Sequence, residues 1–340
     1  MKSYEVVAPP GTDLKESGAE QILDGIARWV CSEPLRDLVA AFGGPLPESN
    51  RLRLADLDRL LAFSAQTWDF RRGVERHEAI GPRYDGTRTG DLILAAATAL
   101  GMVDGTEPAY RSYDHVLILG SLLQACLVRS RFAADLIREQ DLWAGELSGL
   151  GSSRLATPSE VELARRLERD RHCQLGTVRT EADAMAVAMR LELGLGQVLE
   201  EKRGGRDGDP NHSWWVRTYW LDGERRMRVL CVPSGDPARR RANTADTYRF
   251  WAERTAPLRP MTTILVVTSS IFVPFQAADA LRILALPWGC QVEVVGVDHR
   301  RPYDGVPAPW PTSYYLQEIH SALRSMRDLY QEVVDRHEQK

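Results

Sequence analysis

The stretch TILVVTSSIFVPFQAADALRIL, residues 263–284, constrains the chain more than any other. Ile264 to Val267 are apolar and mostly β-branched, without the polar alternation of a half-exposed strand. Such a run fits a strand buried on both faces, which is the pattern of a parallel sheet covered by helices. It ends in three hydroxyls, Thr268, Ser269 and Ser270, and an amphipathic helix is expected to follow.

The same strand-then-helix texture recurs upstream. DHVLILG (114–120) precedes SLLQACLVRSRFAADLIREQ, and LWAGELSGLG (142–151) precedes TPSEVELARRLERDR, whose Thr-Pro-Ser-Glu is a helix start. A further helix is expected from Thr180 to Leu193. CQVEVVGVD (290–298) reads as a last central strand, and residues 312–338 as a long amphipathic closing helix. Two β-rich runs between 213 and 232 flank Asp222-Gly223, a hairpin signal. KRGGRDGDPNH (202–212) reads as a flexible loop.

Before residue 110 the texture is different. AEQILDGIARWVCSEPLRDLVAAF, RLADLDRLLAFSAQTWDFRRGVERHE and TGDLILAAATALGMV space apolar residues three and four apart, as helices do. The expected architecture is therefore α/β: a Rossmann-like three-layer sandwich with a mostly parallel sheet over 111–340. An all-helical N-terminal region over 1–110 precedes it and is placed as a lid.

Composition narrows the function classes. Apolar residues make up 44% and charged residues 26% of the 340, as in ordinary globular proteins. A net charge of −4 gives no global pull toward nucleic acid or an anionic membrane, so a basic site has to be local. The five cysteines (Cys31, Cys126, Cys173, Cys231, Cys290) are widely spaced and form no C-x-x-C. That pattern is expected of thiols in a reducing cytoplasm. No secretory signal and no run of about 18 apolar residues is seen, so no membrane span is expected.

In open parallel sheets ligands collect beyond the carboxyl ends of the strands. Gly120 and Ser121 stand at one such end, at a helix start whose amides suit an anion. Arg129 and Arg131 could add to the field; an N-cap serine with solvated arginines is the competing reading. Thr180 caps a helix with Glu181 and Asp183 in its first turn, a structural arrangement that also offers a carboxylate at the rim. VPSGDPARRRANTADTYRF sets Arg239, Arg240 and Arg241 beside Asn243-Thr244 and Asp246. This suits a phosphate or carboxylate, or else is an exposed basic turn. Arg71, Arg72, Arg76 and His77 lie among aromatics in WDFRRGVERHE and could grip a base and phosphate, or line a charged helix face. No P-loop, H-E-x-x-H or G-x-S-x-G is present, and the seven histidines show no metal-ligand spacing. Ser269 or Ser270 as a nucleophile would need a distant base such as His115.

Taken together, Gly120-Ser121, Thr180-Glu181-Ala182, Asn243-Thr244-Ala245-Asp246-Thr247 and Thr268-Ser269 resemble, in order and spacing, the motifs of the YdcF/SanA/ElyC-like domain family. The resemblance covers about half the chain. It implies a Rossmann-like fold in which these segments converge, and S-adenosylmethionine as one cofactor the family admits. The aromatic-His pair the family often carries after the last motif is replaced here by Ser270-Ile271-Phe272-Val273-Pro274-Phe275-Gln276.

The functional expectation is a soluble enzyme of specialised small-molecule metabolism, of the group-transfer class. It would bind a nucleotide-like or phosphorylated anion at the carboxyl edge of the sheet. Glu181, Asp246 and Ser269 are the candidate catalytic residues. Gly120, Ser121, Arg129, Thr180, Arg240, Arg241, Asn243, Thr244, Thr268, Ser270 and Gln276, with Arg71 or Arg76 from the helical region, are the candidate ligand contacts. The alternatives are a non-catalytic binding or scaffold protein and a tRNA-dependent transferase, which the acidic net charge disfavours. The 312–338 helix is expected either to cap the sheet or to meet a second copy.

Overall fold

The computed structural model describes residues 3–47, 52–71, 73–74, 79–206, 208–221, 225–298 and 310–338. Helices α1 (Ala19–Val30), α2 (Glu33–Ala41), α3 (Leu54–Thr67) and α4 (Arg88–Ala99) come first. The α/β part follows as β1 (Ser112–Leu119), α5 (Leu123–Arg138), β2 (Trp143–Ser152), α6 (Pro158–Arg171) and α7 (Glu181–Leu193). Three strands come next, β3 (Glu200–Gly204), β4 (Trp214–Leu221) and β5 (Arg225–Val232), then α8 (Thr244–Arg254) and β6 (Thr263–Ser269). The chain closes with α9 (Val273–Ala280), α10 (Leu286–Trp288), β7 (Gln291–Val297) and α11 (Thr312–Glu338). The strands form a seven-stranded sheet in the order β3-β4-β5-β2-β1-β6-β7. β5, β2, β1 and β6 run parallel, while β3, β4 and β5 are antiparallel neighbours. The fold class expected from the sequence, a mostly parallel sheet behind a helical N-terminal region, is the one observed.

The chain divides into two compact units. Unit 1 comprises residues 1–107, 269–287 and 291–340; unit 2 comprises residues 108–268 and 288–290.

In unit 2, β2 shows how the layers arise. Successive strand residues point to opposite faces. The Ser148 hydroxyl accepts a hydrogen bond from Trp251 Nε1 of α8 at 3.2 Å. The neighbouring Gly149 faces Met185 and Met189 of α7, and Gly151 faces the backbone of Ala182. Helices therefore cover β2 on both sides. A Cβ at Gly151 would sit 2.6 Å from Ala182 Cα, and backbone cannot yield as a side chain can. Gly151→Ala is expected to lower stability by about 1–3 kcal/mol in urea titration. Gly196→Ala, where a Cβ meets nothing within 4 Å, should be near neutral.

In unit 1, α11 is the central packing element, with Leu316, Ile319, Leu323, Met326 and Leu329 buried. The first expected helix splits into α1 and α2 because Pro34, in the first turn of α2, has no N–H for the Val30 carbonyl and its ring would clash with that carbonyl in a continuous helix.

Four expectations need correction. The helix after the three hydroxyls is not amphipathic: Ser270–Trp288 is 78% buried. By length and composition this helix could cross a membrane, but it is the core helix of unit 1. It begins as a 3-10 turn at Ser270–Phe272 and winds as a π turn at Leu281–Ala285. β7 is an edge strand rather than a central one. It reads as central because its outer amides are taken: Val294 donates to the Gly11 carbonyl, Val292 to the Ser17 hydroxyl and Gly296 to the Thr106 hydroxyl. Lys202 to Gly204, expected in a loop, belong to β3, whose charged residues carry no apolar signal. Ser121 is not an N-cap: the cap of α5 is Leu122, with no side-chain hydrogen bond. Asp222-Gly223 lies outside the described residues, but the antiparallel register of β4 and β5 runs up to Leu221–Arg225.

Candidate functional site

Three parallel pairings bring strand ends to one rim. Leu119 of β1 pairs with Leu150, Ser152 of β2 pairs with Val232 of β5, and Ile118 pairs with Val267 of β6. Gly120, Ser152, Ser234 and Thr268 therefore all lie at the same carboxyl edge.

At that rim the chain supplies its own anions to the helix N-termini. Glu160 of α6 accepts from the Leu123 amide at the start of α5 (2.9 Å) and from the Thr157 amide (2.8 Å). Arg154 clamps the same carboxylate from both nitrogens at 2.9 Å each, and also donates to the Ser121 carbonyl. Both side chains are nearly closed to solvent, at 8% and 4% exposure. Burial pushes the Glu160 carboxyl up, but Arg154 and the two amides outweigh it and hold it below the ordinary carboxylate range. The α5 start read from the sequence as an anion site is thus already filled by a side chain.

α8 repeats the arrangement. Asp246 accepts from the Asn243 amide while Asn243 Oδ1 accepts from the Asp246 amide, a capping box. Arg240 binds both oxygens of Asp246, which has 4% exposure, and a Cβ at Gly235 would collide with that carboxylate. Hydrogen bonding to Asp246 raises the Arg240 pKa further. The hydroxyl of Thr247 donates to the Thr244 carbonyl, and Arg241 donates to the Ala242 carbonyl. Asp246 is thereby a cap and ion-pair partner. At α7, Asp183 plays the same part toward Thr180.

Glu181 differs. It occupies the first position of α7, outside the capping box, and its carboxylate accepts from the Ser152 hydroxyl. It is only half-buried and lies against Gly120, where a Cβ would approach it to 3.0 Å. A carboxylate so placed can accept a proton or orient a ligand hydroxyl.

The remaining candidates fall elsewhere. Arg129 has no exposed surface and donates to the carbonyls of Leu119 and Gly120, so it ties down the end of β1 instead of facing a ligand. Thr268, Ser269, Ser270 and Gln276 are buried, and the Ser270 hydroxyl donates to the Val297 carbonyl. The Ser270 hydroxyl is thus a structural tie to β7. His115 pairs with Ile264, five residues before Ser269 on β6, about 16 Å along the strand, so it cannot serve Ser269 as a base. Burial lowers the His115 pKa. Arg71 lies in unit 1 and pairs with Asp69 at 3.3 Å. Arg72, Arg76 and His77 lie outside the described residues.

Two arrangements went unread in the sequence. The Arg154–Glu160 clamp was half legible: Thr157-x-x-Glu160 is a capping-box spacing, but nothing local names Arg154 as partner. In unit 1, His320 Nδ1 lies 2.9 Å from Ser64 Oγ and its Nε2 lies 3.9 Å from Asp69. Ser64 has no exposed surface, and burial pushes His320 down to about 4, so the trio ties α3 to α11 and presents no nucleophile. The five cysteines are free, and burial raises Cys126, Cys231 and Cys290 to about 12, far from thiolate reactivity.

Comparison with known proteins gives the following. Residues 14–101 match the family model described as the Rv3785 N-terminal domain. The chain is 32% identical to the uncharacterized protein Rv3785 of Mycobacterium tuberculosis, over 92% of this chain and 90% of that one. The uncharacterized protein Mb3814 of Mycobacterium bovis matches with the same identity and cover. No solved structure matches. These findings overturn the resemblance to the YdcF/SanA/ElyC-like family. Two of its motifs, Thr180 to Ala182 and Asn243 to Thr247, begin capping boxes, and capping boxes recur wherever helices start.

Proposed function

The chain belongs to the Rv3785 family, and from that premise we propose that unit 2 is the small-molecule-binding part of a group-transfer enzyme. The ligand is a polar anion, nucleotide-like or phosphorylated, held at the carboxyl rim of β1, β2 and β5. One observation carries this reading: of the acidic side chains in the first turns of α6, α7 and α8, Glu160, Asp183 and Asp246 sit in capping boxes, whereas Glu181 does not. Glu181 acts as proton acceptor or orients a ligand hydroxyl, steadied by Ser152. The exposed Arg239, 4.0 Å from Asp236, stands near the rim.

The test is a thermal-shift screen with ATP, S-adenosylmethionine and glucose 6-phosphate, because a ligand that binds the folded state raises apparent stability. At least one is expected to raise the melting temperature, and Glu181→Gln should abolish that shift while leaving the unliganded melting temperature in place. A shift that survives Glu181→Gln removes Glu181 from the site. A second reading, a binding protein without catalysis, is favoured by the helix N-termini of α5 and α8 being filled by the chain's own carboxylates. A ligand that binds but is recovered unchanged after long incubation with acceptor alcohols and amines supports that reading.

A further inference from the structure

The antiparallel strands β3, β4 and β5 have two faces of different character. On one, Arg217 stacks over Trp215 at 4.1 Å and pairs with Glu201 at 3.2 Å, so its charge is spent. On the other, the register sets Lys202 opposite Val216, Thr218 opposite Arg228, and Trp220 opposite Arg226. The end of α8 adds Arg254, whose guanidinium stands 5.9 Å from the Trp214 ring. Together these walls enclose an open cavity of about 470 Å³.

Four cations line it, Lys202, Arg226, Arg228 and Arg254, against one lining acid, Glu200. Arg228 is matched by Glu146, and Lys202 lies 3.3 Å from Glu200. Arg226 and Arg254 form no ion pair among the described residues, and both are exposed. Trp220 keeps 43% of its surface exposed. The exposed Trp220 indole, opposite an Arg226 guanidinium that forms no ion pair among the described residues, is what a flat ring bearing an anionic group requires: the ring stacks and the guanidinium forks the anion. The volume suits one small molecule. A polynucleotide would need a broad basic track, and the net charge of −4 does not provide one.

We propose that the groove on the α8 side of β3–β5 is a binding site for a small aromatic phosphate of mononucleotide kind, its ring on Trp220 and its phosphate on Arg226. This site is separate from the rim, and it stands or falls independently of the role given to Glu181.

The experiment titrates the full-length protein with AMP, adenosine and ribose 5-phosphate, read by tryptophan fluorescence and by calorimetry. AMP is expected to bind, and each half-molecule to bind at least about tenfold more weakly, the loss of one charge-assisted or stacking contact. Arg226→Gln, at an exposed position, should weaken AMP and ribose 5-phosphate by about tenfold and leave adenosine alone. Trp220→Ala should do the reverse, weakening AMP and adenosine only. Absence of AMP binding overturns the proposal. So does AMP binding that is lost in Glu181→Gln but kept in Arg226→Gln, which would put the nucleotide at the rim. A ten-nucleotide single strand that binds more tightly than AMP with a steep salt dependence overturns it in favour of a polynucleotide surface.

Discussion

Arg154→Met is expected to destabilise the protein by about 3–5 kcal/mol, the cost of leaving a buried carboxylate without its counter-charge. Glu160 is 4% exposed and keeps only the Leu123 and Thr157 amides once the guanidinium is gone. Glu160→Gln alone should also be costly, since Arg154 then carries the unmatched charge. The double variant Arg154→Met with Glu160→Gln should recover part of the loss, and the cycle isolates the coupling. The pH dependence follows from the direction of the shift. Glu160 has a depressed pKa in the folded state. Its stabilisation is therefore complete above the unfolded value of about 4.3 and is lost as pH falls through the folded one. In Arg154→Met burial is no longer outweighed and the folded pKa of Glu160 rises, so protonation relieves the buried charge and the stability gap between variant and unaltered protein should narrow as pH falls. Urea midpoints measured from pH 4 to 8 check both statements; coincident pH profiles would sink the argument.

Trp251→Ala should be comparably severe, about 3–5 kcal/mol, because the indole is fully buried between α8 and β2. Its Nε1 donates to Ser148, itself 1% exposed, and its ring meets that of His115 nearly at right angles, with centroids 5.1 Å apart. Trp251→Phe keeps most of the volume but strands the Ser148 hydroxyl, for about 1–3 kcal/mol. Opening the site to water also relieves the burial that lowers the His115 pKa, so the ring should titrate higher in Trp251→Ala. Chemical denaturation measures the first effect and proton NMR of the histidine ring the second.

The two cases show which features were legible in advance. The Thr157-x-x-Glu160, Thr180-x-x-Asp183 and Asn243-x-x-Asp246 spacings are local, and the helices begin there. The runs around Val116 and Leu265 form strands for an equally local reason, an unbroken apolar surface. The exposed, charged β3 carries no such signal, and its residues look like loop in the sequence. β7 looked central because an edge covered by Gly11, Ser17 and Thr106 needs the same apolar residues as one covered by another strand.

Among the candidate site residues the division is sharper. The chain order alone determined which residue types stand at the ends of strands and at the starts of helices, because turn, cap and periodicity preferences act over a few neighbours. Tertiary structure alone decided how the charges there are spent. Arg129 turns back onto the carbonyls of β1, Arg240 is consumed by Asp246, Arg154 reaches Glu160, and Glu181 is left with a serine. Electrostatic partners are chosen by distance in space and by burial, and neither is written in the spacing of residues along the chain.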